Sequence, residues 1–473
     1  MTDQHAPQTH RKLTTDETTM RVDHPHCRLS RRGFLRAAGG STAALFGAPF
    51  VSSRLVATAS HRSRSRRPKV GVIMTTFFHR SHAHVLLENF LEDYYFNGRL
   101  TNPGVDVVSF YVDQLAKADM SKQVATDYSI PVFRTIREAL TLDGDELAVD
   151  AVLLIGEHGE YGSNELGQSL YPRKQFFDEI VAVMKESNRF VPVFNDKHLS
   201  YRWDWAKEMY DTAQELGIPL MAGSSVPLAQ RRPPMEIRSG AVIEEAVSIH
   251  GGGVEGYDFH ALEVLQSMVE FRKEGETGVS QVQFLDHDAL WKAADEGRWS
   301  VDLAEAAMRT EMGNQPFDLR AFKKHGEGAR KSHGVLVQYR DGFRGLVVTF
   351  GRSDARWNFA CRYQGDPTAY ATDFYVGPWN NRNLFKALSH AIQEHFIHGQ
   401  APYPIERTLL VTGILDASMH SRHEFGKVMR TPQLEFGYKP IDFSTEREMG
   451  ASWAIITEDT PEPEGINTNA RRG

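Results

Sequence analysis

The sequence feature that most constrains the fold is an alternation of apolar strand-like runs and helix-like segments between residues 69 and 223. The strand-like runs are Lys69–Met74, Val105–Asp113, Ile130–Phe133, Asp150–Gly156, Phe190–Phe194 and Pro219–Gly223. Amphipathic segments such as 81–95 and 173–188 separate them. Because neighbouring parallel strands need a long crossover, usually a helix, this alternation predicts βαβ units in a doubly wound parallel sheet.

The pattern changes after Pro233-Pro234, where strand-like runs follow one another with few helices between them. These runs are Ala241–Ile249, Val279–Leu285, Val335–Tyr339, Leu346–Phe350, Trp357–Tyr363, Ala369–Val376 and Leu434–Tyr438, and the helix-like segments are Asp258–Lys273, Arg382–His398 and Thr408–Ser421. Such a pattern favours an α+β domain. The predicted fold class is therefore α/β, a Rossmann-like doubly wound parallel sheet (69–230) joined to an α+β domain with an open, mostly antiparallel sheet (231–440). Residues 441–473 are predicted to form a partly disordered C-terminal tail.

The first 59 residues have the anatomy of an export signal. Ser30–Arg36 matches the twin-arginine pattern, a Gly/Ala-rich apolar segment follows from Ala37 to Val51, and Ala57–Ala59 is an acceptable cleavage site. A basic linker occupies residues 60–68. These features predict translocation by the twin-arginine translocase and a periplasmic or extracytoplasmic location. The alternative is a chance Arg-Arg pair before a buried helix.

Composition excludes one class of partner. The chain carries 54 basic and 61 acidic residues, and the excess of acids is larger beyond residue 59. An acidic body without a basic stripe argues against nucleic acid as a partner. The two cysteines are Cys27, in the leader, and Cys361, so the mature protein is predicted to have no internal disulfide.

The most informative polar stretch is Asn195-Asp196-Lys197-His198, which directly follows an apolar strand-like run. The carboxyl ends of parallel strands form the crevice in which sheets of this kind bind ligands. A lysine buried there can use its charge and an altered pKa. The alternative is a strand-to-helix turn in which Asp196 or Ser200 only caps the next helix.

Several segments between residues 69 and 438 resemble the Gfo/Idh/MocA family of glucose–fructose oxidoreductases and inositol dehydrogenases. The stretch 193–199 is similar to the family's fifth strand with its Glu-Lys-Pro end, with Asp196 for Glu and His198 for Pro. The Gly-rich turn 251–253 leads into a helix with His260 and Glu263, as in the family's second signature. Helix 404–422 resembles the family's late helix.

The resemblance implies a Rossmann domain joined to an open-faced sheet, and oxidation of a sugar or polyol hydroxyl with bound NAD or NADP. His260 would be the base that removes the hydroxyl proton, and Lys197 would polarise the oxygen as it becomes a carbonyl. Asp196 would stand beside them, and Glu263, three residues after His260, would orient the histidine. The alternative for His260 is a histidine packed under a sheet.

The resemblance also implies a set of cofactor-binding positions. Aligned on the first strand, the three family glycines fall at Met74, Thr76 and His79, and Asp113 ends the second strand where an acid binds the ribose. Glu157 follows the third long strand and is expected in the same crevice. The expected cofactor is NAD or NADP, although the glycine fingerprint is absent.

Two other functions remain open from the sequence. The first is a non-redox lyase or keto-sugar-processing enzyme that uses Lys197 and His260 for proton abstraction. The second is a non-catalytic sugar-binding protein. Histidines between His79 and His84 could contribute to a metal site with Glu157 or His158, but no metal ligand set is assigned. The resemblance also suggests a homo-oligomer formed through the open sheet.

Overall fold

The computed structural model describes residues 66–313, 317–322 and 332–466, all within one unit that begins at Arg64. The predicted signal peptide (1–59) and most of the linker lie outside the described residues. In the part of the chain that the structure describes, no helix is both long and apolar enough to cross a membrane.

Strands and helices are numbered in chain order. The strands are β1 Lys69–Met74, β2 Tyr94–Phe96, β3 Arg99–Thr101, β4 Asp106–Val112, β5 Val132–Phe133, β6 Ala151–Ile155, β7 Val193–Asp196, β8 Leu220–Gly223, β9 Gln230–Arg232, β10 Ile243–Gly251, β11 Val279–Leu285, β12 Gly334–Tyr339, β13 Arg344–Thr349, β14 Ser353–Tyr363, β15 Ala369–Tyr375 and β16 Met429–Arg430. The helices are α1 His82–Leu91, α2 Ser121–Tyr128, α3 Ile136–Thr141, α4 Arg173–Glu186, α5 Trp203–Leu216, α6 Gly256–Val269, α7 His287–Asp295, α8 Val301–Met312, α9 Leu319–Phe322, α10 Asn381–His398 and α11 Ile405–His423.

The first sheet has six parallel strands in the order β5-β4-β1-β6-β7-β8. Its central strands are continuous apolar runs because helices cover both faces, and β6 is fully buried. The order reverses between β1 and β6, which creates a crevice at the carboxyl ends of the strands. The predicted Rossmann-like doubly wound sheet is confirmed.

The second sheet has eight strands in the order β16-β11-β12-β13-β10-β14-β15-β9. All neighbouring pairs are antiparallel except β10 and β13. The predicted α+β domain with a mostly antiparallel sheet is therefore confirmed.

The second sheet is open, since its edge strands β16 and β9 do not pair with each other, and helices pack against both of its faces. Helix α6 packs against one face, and α7 and α8 pack against the other through Leu290, Trp291 and Leu303. The sequence analysis missed α7 and α8, although the buried Leu303, Ala304, Ala307 and Met308 of α8 have helical spacing. The homo-oligomer through this sheet stays a prediction.

The late helices and the end of the chain complete the first domain. On α10, Ser389 accepts a hydrogen bond of 3.1 Å from Asn89 of α1. Within the predicted tail (441–473), the described residues include Ile466, which is 6% exposed, and Gly465, whose carbonyl accepts a hydrogen bond of 2.9 Å from Arg382. The predicted strand 434–438 is wrong. A 3-10 helix ends at Leu434, and no strand follows it in the described residues up to 466.

Candidate active site

Lys197 lies in a tight turn directly after β7, at the carboxyl edge of the parallel sheet. Its backbone is left-handed, with φ of 66°, and it exchanges two hydrogen bonds of 3.2 and 3.1 Å with Gly223. The residue is 5% exposed. Its Nζ lies 3.0 Å from Oε1 of Glu157, which follows β6. The polar end of the strand is therefore part of the crevice, as the sequence predicts.

Glu157 joins two buried cations. The fully buried Arg173, at the start of α4, donates to the second oxygen of Glu157. Burial alone would raise the pKa of the Glu157 carboxyl, but Lys197 and then Arg173 hold it well below its usual value. Arg173 also lies 3.0 Å from Nε2 of His198, and burial together with this cation lowers the pKa of His198 well below normal. The cluster is thus one carboxylate between two cations, beside a neutral imidazole.

Asp196 forms a pair with a histidine from the other side of the crevice. Its Oδ2 lies 2.6 Å from Nδ1 of His82, the first residue of α1. The His82 ring contacts Phe385 at 4.7 Å and His158 at 5.2 Å between ring centroids. A carboxylate that accepts the Nδ1 proton leaves the lone pair on Nε2, the tautomer a general base needs. Asp196 therefore serves His82 rather than a substrate directly.

His260 reaches the same region from the second domain. It lies in the first turns of α6, and its ring centroid is 6.5 Å from that of His82. Its Nδ1 lies 2.6 Å from Oγ of Ser224, the residue after β8. Burial, followed by the charge of Lys197, lowers the pKa of His260 well below its ordinary value. His260 is therefore a neutral imidazole at neutral pH.

Glu263 does not orient His260, which corrects the prediction. Its carboxylate instead accepts a hydrogen bond of 2.9 Å from Thr408 of α11, and Ser224 is the hydrogen-bond partner of the histidine. Burial raises the pKa of Glu263 to about 7. The spacing of three residues places Glu263 and His260 on one helix face. The hydrogen bond to the His260 ring, however, is made by the hydroxyl of Ser224, which directly follows β8.

The Gly-rich turn before α6 is required by packing. A Cβ at Gly252 would lie 1.8 Å from the Tyr257 ring, and one at Gly251 would lie 2.5 Å from the backbone nitrogen of Ser353. Tyr257 in turn stacks on Trp357 with centroids 5.3 Å apart. Trp357 also contacts His260 at 5.5 Å. The glycines therefore let aromatic rings form the wall behind His260.

A second buried cluster lies beside this wall. Among the described residues, His250, Asp258 and His333 are the group whose potential metal-ligand atoms lie within 4.8 Å of one another. Nε2 of each histidine is 2.9 or 2.8 Å from Oδ1 of Asp258. However, the Gly252 N–H donates to Nδ1 of His250, so the proton of that ring is on Nε2, where a metal would need the lone pair. The cluster is a hydrogen-bonded support for the start of α6.

The turn between β1 and α1 is where a nicotinamide cofactor would place its pyrophosphate, on backbone N–H groups at a helix start. In this chain three of those donors make contacts within the turn. The N–H groups of Phe78 and Arg80 donate to Oγ of Ser81 at 3.1 Å and to Nδ1 of His84 at 2.8 Å. The Ser81 N–H donates to the Phe78 carbonyl at 2.9 Å, and Phe77 is fully buried. With these donors occupied, and with side chains at Met74, Thr76 and His79 where close approach of phosphate needs glycines, the residues present fit a pyrophosphate poorly.

The other predicted cofactor positions, except His79, are buried or engaged in contacts. Met74 and Thr76 are 0% and 2% exposed, whereas His79 is exposed. The carboxylate of Asp113 accepts hydrogen bonds of 2.7 Å from both Tyr111 and Tyr161. Tyr161 belongs to the loop after β6, so a side chain of this loop already donates to the carboxylate that would bind a ribose. Glu157, the fifth position, is held in ion pairs.

Sequence reasoning missed three residues that the structure brings to this site. His82 was considered only as a metal ligand, and Arg173 and Ser224 were not considered. Ser224 carried a usable signal because it directly follows a buried strand, as Lys197 does. Arg173 gave no signal, since a cation at the start of a helix is normally solvated.

Three solved structures are similar in backbone course. GenD2 from gentamicin A biosynthesis, in complex with NAD, has a TM-score of 0.49 and 14% identity, covering 77% of this chain and 96% of its own. Myo-inositol dehydrogenase from Lactobacillus casei, in complex with NAD(H) and myo-inositol, has a TM-score of 0.48 and 14% identity, covering 77% of this chain and 96% of its own. Myo-inositol dehydrogenase from Corynebacterium glutamicum has a TM-score of 0.47 and 11% identity, covering 77% of this chain and 98% of its own. Two of the three are thus enzymes of the kind that the predicted resemblance names.

No protein-family model matches the sequence, and no curated protein matches it. Because the TM-scores are below 0.5 and the identities are at most 14%, we assign no activity from these similarities. Function has to be argued from the residues of the crevice.

Proposed function

We propose that this protein is an enzyme that moves protons on a small hydroxylated carbonyl compound, of the keto-sugar type, without a nucleotide cofactor. The observation that carries the proposal is the Asp196–His82 pair of 2.6 Å. Asp196 directly precedes Lys197, and the N–H groups of Phe78 and Arg80 in the phosphate-binding turn are engaged in contacts of the turn itself. A base with a fixed tautomer and a buried cation are the two groups that enolisation requires.

In this proposal Nε2 of His82 accepts a proton from the carbon next to the substrate carbonyl. The electron pair of the broken C–H bond forms the C=C bond of an enolate, and the π pair of the carbonyl moves to its oxygen, where the Lys197 ammonium stabilises the negative charge. In an isomerisation, this oxygen takes the proton of the α-hydroxyl, that hydroxyl oxygen becomes the new carbonyl, and the proton on His82 moves to the former carbonyl carbon. In an elimination, the enolate re-forms the carbonyl, and the β-hydroxyl leaves as water with the proton that His82 holds. His260, held neutral and hydrogen-bonded to Ser224, binds a substrate hydroxyl.

The network around Lys197 supports this role. Glu157 and Arg173 fix the position of the ammonium, and the low pKa of Glu157 keeps that carboxylate charged. An ammonium that is already placed needs no reorganisation when charge develops on the substrate oxygen. A non-catalytic sugar-binding protein would not need this pre-ordering.

The direct test is deuterium exchange, which detects proton abstraction before the full reaction is known. A panel of keto-sugars and keto-acids is incubated in D2O with the purified protein, and incorporation is read by NMR and mass spectrometry. The proposal expects incorporation next to the carbonyl of at least one compound, and loss of it in His82→Gln. No exchange on the panel, combined with sugar binding that is unchanged in His82→Gln and Lys197→Met, would indicate a binding protein instead.

The second candidate is oxidation of a sugar or polyol hydroxyl with NAD or NADP, with His260 as base and Lys197 as the polarising cation. Two observations favour it. Asp113 follows β4 where a ribose acid is expected, and the buried hydroxyl of Thr76 has no hydrogen-bond partner among the described residues. Substrate-dependent absorbance change at 340 nm, in place of deuterium exchange, would establish this function.

We also propose that the chain is exported by the twin-arginine translocase, on the basis of the Ser30–Arg36 motif. Fractionation of cells that express the full chain tests this directly. The wild type should reach the periplasm, and the double variant Arg31→Lys, Arg32→Lys should remain in the cytoplasm. Equal distribution of the two would refute export by this route.

A further inference from the structure

A second cavity, of about 420 Å³, lies at the opposite end of α6 from His260. Its walls include Ser267 and Phe271 near the end of α6 and Phe443 from the C-terminal segment. Seven residues separate His260 from Ser267, which places them about 10 Å apart along the helix axis. The volume is within the range of small-ligand sites, roughly 300–1,000 Å³. The cavity is therefore separate from the crevice.

Two buried arginines line this cavity. The side chains of Arg231, on β9, and Arg447 are 6% and 5% exposed. The buried Nε atoms of both have no hydrogen-bond partner among the described residues. Each guanidinium is instead paired with Glu236, at 2.7 Å for Arg231, and the Glu236 side chain is 64% exposed. One solvent-exposed carboxylate thus bridges two buried cations.

Burying the two guanidinium groups costs folding free energy unless an anion compensates their charge. Burial and then the neighbouring charge of Arg447 lower the pKa of Arg231 to about 9. An exposed carboxylate compensates a buried cation weakly, because water screens it. Asp442 also lines the cavity, but it is exposed and accepts the Ser444 N–H at 2.9 Å. The two guanidiniums are therefore under-compensated on their buried side.

We propose that this cavity binds a small organic oxyanion, and that the carboxylate of Glu236 occupies the anion position when the ligand is absent. Two convergent guanidiniums hold phosphate, sulfate and carboxylate groups by charge-assisted hydrogen bonds, the contacts that Glu236 now makes. The aromatic side chains Phe271 and Phe443 would contact the uncharged part of the ligand. This site is independent of the chemistry proposed for the crevice.

The test measures phosphate, sulfate and citrate binding to the full chain by calorimetry and thermal unfolding, with ionic strength held constant by chloride. The wild type should be stabilised by at least one of these anions and not by chloride. Glu236→Gln removes the internal competitor, so its affinity for that anion should rise at least tenfold. Arg447→Gln should abolish binding.

The matched control is Glu435→Gln, which removes an exposed carboxylate paired with Arg340 at 3.4 Å. This variant should bind the anions as the wild type does. If Arg447→Gln does not fold, the anion affinities of Glu236→Gln and Glu435→Gln still test the proposal, because only the first variant should bind more tightly than the wild type. Absence of binding in all proteins, or the same affinity with and without Glu236, would overturn the proposal, whatever the result of deuterium exchange.

Discussion

Two halves of one crevice differ in what remains available to a ligand. In the half around Lys197, side chains from β6, β7, α1 and α4 converge as charged and neutral proton-transfer groups. In the half around Phe77–Ser81, the backbone N–H groups of Phe78 and Arg80 donate to Ser81 and His84. Acid–base chemistry depends on side chains, whereas phosphate binding depends on unpaired backbone N–H groups. One property can therefore be lost while the other is kept.

The largest effect is expected from removing the cation of the first half. Lys197→Met keeps the length of the side chain but cannot stabilise an oxyanion, so the deuterium-exchange rate should fall by about 10²–10³. The measurement is exchange of the best keto-sugar by NMR. Lys207→Met, which removes an exposed lysine paired with Asp211 on α5, is the control and should leave the rate unchanged. A rate kept in Lys197→Met would remove this residue from the proposed chemistry.

The next effect concerns the carboxylate that holds two cations together. Glu157→Gln leaves Lys197 and Arg173 buried without their counter-charge, and breaking a buried pair costs about 3–5 kcal/mol of unfolding free energy. Urea denaturation measures the loss. Glu186→Gln, whose carboxylate pairs with Arg137 on the exposed surface, should cost about 0–1 kcal/mol. Equal losses in the two variants would show that the network around Lys197 adds nothing special to stability.

The strand end with Lys197 could be predicted because an apolar run stops abruptly at four polar residues, a local signal. The pairing of Asp196 with His82 could not be predicted, because 114 residues separate them and only the crossover order of the sheet brings them together. The role of Glu263 was assigned wrongly because helical spacing predicts which residues share a face, but not which neighbouring element reaches them first. The parallel sheet itself was predictable, since continuous apolar runs arise only where both faces are buried.

The contacts of the turn between β1 and α1 can be tested through His84, by measuring how the unfolding free energy depends on pH. Burial, and then the charge of Arg382, lower the pKa of His84 from 6.5 to about 4. The unfolded chain therefore binds more protons between these values, so the contribution of His84 to stability is complete above pH 6.5 and is lost as the pH falls toward 4. His84→Gln keeps an acceptor for the Arg80 N–H but cannot titrate. The slope of its unfolding free energy should be shallower by about 1.4 kcal/mol per pH unit in this window.

The comparison that checks this slope is His423→Gln, which replaces an exposed histidine at the end of α11, away from His84. Urea denaturation at pH 7, 6 and 5 should give this variant the slope of the wild type. If His84→Gln also keeps that slope, the imidazole is not held neutral in the folded protein. The hydrogen bond from the Arg80 N–H would then no longer be evidence that the turn is closed to phosphate.

The smallest effect is expected at Asp113, the carboxylate that would bind a ribose. Tyr161→Phe removes one of the two hydroxyls that donate to Asp113, and it should cost about 0.5–1.5 kcal/mol of unfolding free energy. It should not create a nucleotide site, because the backbone donors of Phe78 and Arg80 remain engaged. Calorimetry and thermal unfolding with NAD, NADH, NADP and NADPH should therefore show no binding to the wild type or to Tyr161→Phe. Binding to the variant alone would show that Tyr161 closes an otherwise functional nucleotide site. Binding to both proteins would show that the turn opens, and it would favour the oxidoreductase function.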